Sequence, residues 1–240
     1  MLKIENLIKS YKGGKIAVSD LSIEVHAGEI YGFIGQNGAG KTTTIKCVVG
    51  IHEFDKGEIY IDGISVKENP LLCKQKMAYI PDNPDLYEYL TGIQFLNFIA
   101  DIYCLSKEIR EERIINLSKD FGILDALGDL IASYSHGMKQ KLAIIGALIH
   151  EPKLLVLDEP FVGLDPEASL KLKEKMHELC SKGSAIFFST HVLDVAEKLC
   201  DHVAIIAYGR LLIEGRTEQL TKDKSLEQLF MEVVKHDKTD

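Results

Sequence analysis

The sequence has no segment that would span a membrane. Its longest apolar run, residues 142–149, falls well short of the roughly 18 residues that a membrane-spanning helix needs, and Lys141 and His150 flank it. Residues 1–6 lack the apolar core of a secretory signal peptide. We therefore expect a chain that does not cross a membrane by itself, although it could dock on a protein that does.

An excess of positive charge and paired cysteine spacings are also lacking. The formal net charge is −8, which argues against a broad nucleic-acid-binding surface but leaves a local basic patch open. The five cysteines are odd in number and show no metal-ligand spacing, so they fit reduced thiols in a cytosol. They are Cys47, Cys73, Cys104, Cys180 and Cys200.

Residues 35–43 carry the strongest functional motif in the chain. They match the phosphate-binding loop pattern of a Gly, four residues and then Gly-Lys-Ser/Thr. A strand-like run precedes the loop and a helical pattern follows it, which argues against a chance match in a glycine-bearing turn. Such a loop points backbone N–H groups at phosphates, where Lys41 reaches the β- and γ-phosphates and the Thr42 hydroxyl binds Mg²⁺. The candidate nucleotide-binding residues here are Gly35, Gln36, Asn37, Gly38, Ala39, Gly40, Lys41, Thr42 and Thr43.

The apolar pattern predicts an α/β fold with a mostly parallel sheet. Continuous apolar runs at 154–157, 185–188 and 203–207 are typical of parallel strands that helices cover on both faces. The first thirty residues alternate like antiparallel strands, and the pattern from Thr91 to about His150 is helical. We interpret 1–85 and 151–220 as a nucleotide-binding core, 86–150 as an inserted helical subdomain and 221–240 as a C-terminal tail helix.

Two adjacent carboxylates end the strand at 154–157. In open parallel sheets, ligands bind beyond the carboxyl ends of the strands. Asp158 would hold Mg²⁺ there, and Glu159 would act as the general base for an attacking water. An ordinary acidic surface pair is the alternative, which the phosphate loop upstream disfavours.

Three further sites carry a functional and a structural interpretation side by side. Ser135 predicts a helix N-cap with Gly137 behind it, which is either an anion site or a plain cap. His191 follows the next strand and could donate to the γ-phosphate, or it could be structural. Tyr11 could stack on an adenine ring or pack in the core.

Taken together, these motifs resemble the ATP-binding subunit of ABC transporters over almost the whole chain. Residues 35–43 resemble its Walker A loop, and 154–160 resemble Walker B with Glu159 as the catalytic residue. Residues 134–139 are similar to its signature, 163–165 to its D-loop, and His191 to its switch histidine. Tyr11 lies where the family places its adenine-stacking aromatic. The fold that this implies is the ABC ATPase cassette, a P-loop NTPase core with an N-terminal antiparallel β region and a helical subdomain.

The resemblance also implies partners and a mechanism. Two cassettes, identical or related, would pack head to tail around two ATP molecules, with Ser135 and Gly137 binding the γ-phosphate held by the opposite subunit. ATP would close the dimer, hydrolysis would release it, and the helical subdomain would carry that motion to an integral membrane permease. The chain would then lie on the inner face of the cell membrane, with ATP and Mg²⁺ bound and no nucleic acid.

Three positions depart from the family pattern. Asp82 stands where the family has the Q-loop glutamine, so the resemblance makes it a candidate Mg²⁺ ligand with a shorter, charged side chain. His136 replaces the first glycine of the signature and Met138 replaces its glutamine. This signature variant resembles those of bacterial export-type subfamilies, including antibiotic and drug resistance exporters.

Two other functional classes remain open on the sequence. A soluble ABC ATPase acting on ribosomes, DNA or cluster assembly fits less well, because the chain has one acidic cassette and no heptad array. A regulatory nucleotide-binding module with little hydrolysis stays open because of Asp82 and His136.

Overall fold

The computed structural model describes residues 1–236, in which strands and helices alternate along most of the chain. The strands are β1 (Leu2–Ser10), β2 (Ile16–Val25), β3 (Ile30–Ile34), β4 (Lys56–Ile61), β5 (Ile64–Ser65), β6 (Met77–Ile80), β7 (Leu154–Asp158), β8 (Ala185–Thr190), β9 (His202–Ala207) and β10 (Arg210–Arg216). The α-helices are α1 (Lys41–Val48), α2 (Pro70–Lys76), α3 (Gly92–Ile102), α4 (Lys107–Asp120), α5 (His136–Leu148), α6 (Pro166–Ser181), α7 (Leu193–Leu199), α8 (Thr217–Leu220) and α9 (Leu226–His236).

The N-terminal region forms an antiparallel sheet in the order β2-β1-β4-β5. Ile4 on β1 lies opposite Ile23 on β2 and Ile59 on β4, and all three side chains are buried. The turn between β1 and β2 contains Gly13 and Gly14, both with positive φ. The alternating pattern therefore correctly predicts a sheet with one covered face.

The second sheet has the order β10-β9-β3-β8-β7-β6 and is mostly parallel. Its only antiparallel pair among the described residues is β9 with β10. Every residue of β3, β7 and β8 is buried, because helices or the first sheet cover both faces. Neighbouring side chains enter different cores: Phe187 packs with one apolar cluster and Phe188 with the other.

Between β6 and β7 the chain is helical, as the pattern from Thr91 onward predicts. Thr91 begins α3 with a capping box, in which its Oγ1 accepts from Gln94 N at 3.3 Å and Gln94 Oε1 accepts from Thr91 N at 2.9 Å. Helix α3 packs on α5, and α4 packs on both. This segment returns the chain to the sheet at β7, next to the strand it left.

The helical spacing of apolar residues predicts one buried stripe along α3, and this prediction is wrong at two positions. The predicted stripe is Phe95, Leu96, Phe98, Ile99, Ile102 and Tyr103. Phe95, Leu96 and Ala100 are buried, but Phe98 is 42% exposed and Ile102 is 55% exposed. The buried face of α3 runs through Leu96 and Ala100, which leaves Phe98 at its edge. A stripe wider than the covered face leaves apolar side chains at the surface.

The chain ends, as far as it is described, in an amphipathic helix. Helix α9 buries Leu226, Leu229, Phe230 and Val234 and exposes Met231. This helix falls within the tail that the sequence assigns to 221–240, whereas residues 221–225 are not helical. Residues 237–240 of the predicted tail lie outside the described residues. No helix within residues 1–236 has the length and apolarity needed to cross a membrane.

Candidate active site

The parallel sheet brings the phosphate loop, Glu159 and His191 to one edge. Strands β3, β8 and β7 lie side by side, so Ile34, Thr190 and Asp158 end neighbouring strands in the same direction. The phosphate loop follows β3, Glu159 follows β7 and His191 follows β8. Ligands of open parallel sheets bind at this carboxyl edge, so the topology alone creates a site there.

The phosphate loop folds back on the sheet, and its glycines are needed for space and for conformation. A Cβ at Gly35 would lie 2.7 Å from Ile206 O and 2.9 Å from Ala39 Cβ. Gly40 has φ +109 and acts as the N-cap of α1 without a side-chain cap. The first N–H groups of α1 are therefore not capped by the side chain of the N-cap residue, which is the arrangement that phosphate oxygens favour.

Lys41 lies inside the loop and contacts the predicted base. Its Nζ donates to Gly35 O at 2.7 Å and to Gln36 O at 3.4 Å, and only 5% of the residue is exposed. The same Nζ lies 3.3 Å from Glu159 Oε1. The structure thus brings the loop's only lysine and the carboxylate predicted to activate water into direct contact.

Glu159 is held in an unusual conformation. Its φ of +48 lies in the left-handed region, where a residue with a long side chain is strained, and such strain clusters at functional sites. Its N–H lies 3.2 Å from both Ser189 O and Ser189 Oγ, which fixes the backbone. Oε2 lies 2.9 Å from His191 Nδ1, whereas the buried Oε1 accepts no hydrogen bond despite its ion pair with Lys41. Oε1 therefore keeps unused hydrogen-bonding capacity beside Lys41.

Asp158 and its neighbours offer hard oxygen ligands. Asp158 is 2% exposed, and its Oδ1 accepts from Ser189 Oγ at 2.5 Å. Thr42 and Asp82 line the cleft near the loop and are exposed. Within residues 1–236 no cluster of three or more His, Cys, Asp or Glu could hold a metal ion. The oxygens of Asp158, Thr42 and Asp82 nevertheless fit Mg²⁺, because this ion usually takes one or two protein oxygens together with waters and substrate phosphates.

An open cleft of about 530 Å³ lies at the phosphate loop, and neither Asp158 nor His191 is among the residues that line it. Tyr11 stands at its mouth, 41% exposed, with its hydroxyl 3.2 Å from Thr43 Oγ1. This exposure removes the alternative that Tyr11 is a core residue. The predicted residues that line the cleft are Tyr11, Gln36, Asn37, Gly38, Gly40, Lys41, Thr42, Thr43, Asp82 and Glu159.

Sequence reasoning missed several residues of the site. Lys15, Tyr208 and Gly209 also line the cleft, and Ser189 hydrogen-bonds both carboxylate residues. Gly209 N donates to Ala39 O at 2.9 Å, so the turn between β9 and β10 supports the phosphate loop. The Tyr-Gly pair between two strands signals a turn, but nothing local shows that this turn reaches the loop.

Ser135 and Gly137 lie outside this cleft. Ser135 Oγ caps α5 by accepting from Met138 N at 3.2 Å, as predicted. Gly137 lies close to the loop that follows Glu159, since a Cβ there would be 3.3 Å from Gly163 O. The chain's own phosphate loop and its Ser-capped helix therefore do not line a common cleft.

His136 and Lys141 join α5 to that same loop. A Cβ at Gly163, which has φ +83, would lie 3.0 Å from the His136 ring. Lys141 Nζ is 2.6 Å from Asp165 Oδ2, while Asp165 caps α6 by accepting from Ala168 N at 2.8 Å. The hydrogen bond from Ala168 and the ion pair with Lys141 lower the pKa of Asp165. The start of α5 and the start of α6 are thus held together.

Comparison with known proteins agrees with this geometry. The family pattern described as ABC transporter matches residues 18–162. ABC-type transporter ATP-binding protein EcsA of Bacillus subtilis is 37% identical over 99% of this chain and 98% of its own length. Linearmycin resistance ATP-binding protein LnrL of the same organism is 34% identical over 92% of this chain and 70% of its own length.

A solved structure gives the same result for the fold. The structure described as the ATP binding subunit of an ABC transporter superposes with a TM-score of 0.93 and 37% identity, covering 98% of this chain and 99% of its own. The cassette fold expected from the motifs is confirmed. The chain belongs to the ABC transporter family, in which it is an ATP-binding subunit and an ATPase.

Proposed function

We propose that this chain powers a membrane exporter by hydrolysing ATP in a site that two cassettes share. The observation that carries the proposal is the contact of Glu159 with both Lys41, which lines the cleft, and His191. A phosphate-binding cation, a general base and a second polar ring are the groups that phosphoryl transfer to water needs.

In the proposed reaction, the phosphate loop and Lys41 hold the triphosphate at the N-terminus of α1. Lys41 then exchanges its contact with Glu159 Oε1 for the γ-phosphate, which frees this oxygen to accept a proton from the attacking water. His191, already 2.9 Å from Oε2, orients the carboxylate and donates toward the γ-phosphate. The products are ADP and inorganic phosphate.

Mg²⁺ would bind at Thr42 and Asp158, with Asp82 reaching it through water. When bound, the ion neutralises charge on the β- and γ-phosphates. Ser189 keeps Asp158 oriented by donating to Oδ1, so that its other oxygen remains for the ion or its waters.

A second cassette would complete the site. Ser135 and Gly137 lie outside the chain's own cleft, yet an uncharged helix start with an exposed hydroxyl suits a phosphate. We infer that they bind the γ-phosphate held by the opposite subunit in a head-to-tail dimer. The contacts of His136, Gly137 and Lys141 with residues 163–165 would carry this event to Glu159 of the same chain.

The membrane partner would dock on apolar side chains of the helical segment. Tyr87 and Tyr89 lie with ring centroids 5.9 Å apart, and Tyr87 packs edge-on against Phe98 at 5.8 Å. Tyr89 is 75% exposed and Ile102 is 55% exposed. Such a patch favours a protein interface. We propose that residues 1–85 and 151–220 bind nucleotide while 86–150 contact a permease, which holds the chain on the inner face of the cell membrane.

Export is proposed over import on two grounds. The signature variant at 134–140 resembles those of export-type subfamilies, and one relative is named for resistance to linearmycin. Resistance to a toxic compound is consistent with its removal from the cell. In inside-out vesicles, ATP reaches the cassette from outside, so an exporter accumulates its cargo within them.

Co-purification from detergent-solubilised native membranes tests the proposal. We expect the tagged chain to bring down a polytopic membrane protein in a fixed ratio. Tyr89→Ser should lose this protein while keeping ATP binding, whereas Ile115→Ser, an exposed apolar position on α4, should retain it. Recovery of ribosomal, DNA-bound or assembly proteins in place of a membrane partner would contradict the transporter assignment.

A further inference from the structure

The tail helix α9 lies beside the phosphate loop. A small cavity of about 70 Å³ lies between them. Its walls come from three elements of the structure: the phosphate loop, the turn that ends β9, and α9. The residues are Gln36, Asn37, Gly38 and Ala39, then Ile206, Ala207 and Tyr208, and then Phe230 and Val234.

Helix α9 is firmly attached at its start. Ser225 and Gln228 form a reciprocal cap, with Gln228 N donating to Ser225 Oγ at 3.2 Å and Ser225 N donating to Gln228 Oε1 at 3.1 Å. Leu226 N donates to Glu197 Oε2 on α7 at 2.8 Å. Phe230 is 6% exposed and Val234 is 8% exposed, in the same apolar cluster as the sheet. The position of Phe230 is therefore set by packing.

The phosphate loop needs external support. Gly38 and Gly40 have φ values of +83 and +109, and glycines gain more conformational freedom on loosening than any other residue. The turn at Tyr208 and Gly209 holds one side of the loop through the hydrogen bond to Ala39 O. Phe230 and Val234 lie across the small cavity from residues 36–39. A loop held in its binding conformation beforehand loses less entropy when nucleotide binds.

We propose that α9 is a positioning element of the nucleotide site, and that Phe230 and Val234 hold residues 36–39 in the conformation that binds phosphate. Neither residue touches nucleotide. Both act through the backbone of the loop. The inference rests on the proposed function only where it concerns the affinity for nucleotide. The effect of α9 on the conformation of residues 36–39 needs no ligand.

Hydrogen exchange in the nucleotide-free chain is the first test. In Phe230→Ala, amides of residues 36–40 should exchange about tenfold faster than in the parent chain, while those of β1 keep their rates. Met231→Ala is the matched control, because Met231 is the next residue on α9 and is 48% exposed. Unchanged exchange at 36–40 in Phe230→Ala, or equal acceleration in β1, would overturn the proposal.

Titration with ADP and Mg²⁺ is the second test. Phe230→Ala should raise the Kd for ADP about fivefold, and Phe230→Leu should restore it to within about twofold of the parent value. If Phe230→Ala does not fold, Val234→Ala replaces it with the same expected directions. An unchanged Kd would refute the consequence for binding. Failure of the parent chain to bind ADP would instead count against the proposed function, and the exchange result would still decide the inference.

Discussion

Replacing Lys41 with alanine should weaken ATP binding by about a hundredfold or more. Lys41 Nζ is the buried cation of the cleft and already donates to Gly35 O at 2.7 Å. A hydrogen bond between charged groups contributes about 1.5–3 kcal/mol, which by itself corresponds to a factor of about 10 to 150 in affinity. The truncation also leaves Glu159 Oε1 without its ion-pair partner, facing phosphates of the same sign.

These two contributions can be separated by a double-mutant cycle. Glu159→Gln keeps the size of the side chain and removes its charge. If repulsion from Glu159 adds to the loss, the Lys41→Ala/Glu159→Gln variant should bind ATP more tightly than Lys41→Ala alone. Isothermal titration with ATP and Mg²⁺ measures all four proteins. Equal affinity of Lys41→Ala and the parent chain would refute the role of Lys41. Additive effects would refute the coupling between the two residues.

Three further predictions concern other parts of the chain. Tyr11→Ala should weaken ATP binding about tenfold, as expected when a stacking ring is removed. Tyr11→Phe keeps the ring and loses only the 3.2 Å contact with Thr43, so its affinity for ATP should fall less. An equal loss of affinity in both variants would contradict stacking. Gly163→Ala and Gly183→Ala both place a Cβ at positive φ, but only the Cβ at Gly163 would contact a neighbour, the His136 ring. Urea unfolding should therefore show a larger loss of unfolding free energy for Gly163→Ala than for Gly183→Ala. Adding His136→Gly should remove this difference. Burial lowers the pKa of His150 to about 4, below its usual 6.5. The contribution of the neutral ring to stability is therefore complete above pH 6.5 and declines as the pH falls toward 4. The unfolding free energy measured in urea should fall by about 2 kcal/mol between pH 7 and pH 5, and His150→Gln should abolish this fall.

The sequence predicts much of the fold because its strongest signals are local. The buried strands β7, β8 and β9 are continuous apolar runs, and the helix starts at Ser135 and Asp165 follow from side chains that cap their own backbone. The phosphate loop is likewise contiguous in the chain. Such features need no knowledge of tertiary contacts.

Features that depend on distant contacts could not be predicted. The positive φ of Glu159 accompanies hydrogen bonds from its N–H to Ser189, thirty residues away in the chain. The supports of the phosphate loop come from Gly209 and Phe230, which have no motif of their own. The exposure of Phe98 depends on how much of α3 its neighbours cover. In each case the sequence shows which residue is present but not which residues it contacts.

The assembly of Glu159→Gln with ATP tests the central claim, a nucleotide site shared between two cassettes. Removing a general base should slow turnover by about 10²- to 10⁴-fold, so ATP should accumulate between the subunits. We therefore expect sedimentation velocity to show a dimer of Glu159→Gln with ATP and Mg²⁺ and a monomer without nucleotide. Adding Ser135→Arg should abolish the dimer and leave ATP binding intact. A dimer that persists in Ser135→Arg, or a Glu159→Gln protein that hydrolyses ATP at the parental rate, would contradict the account.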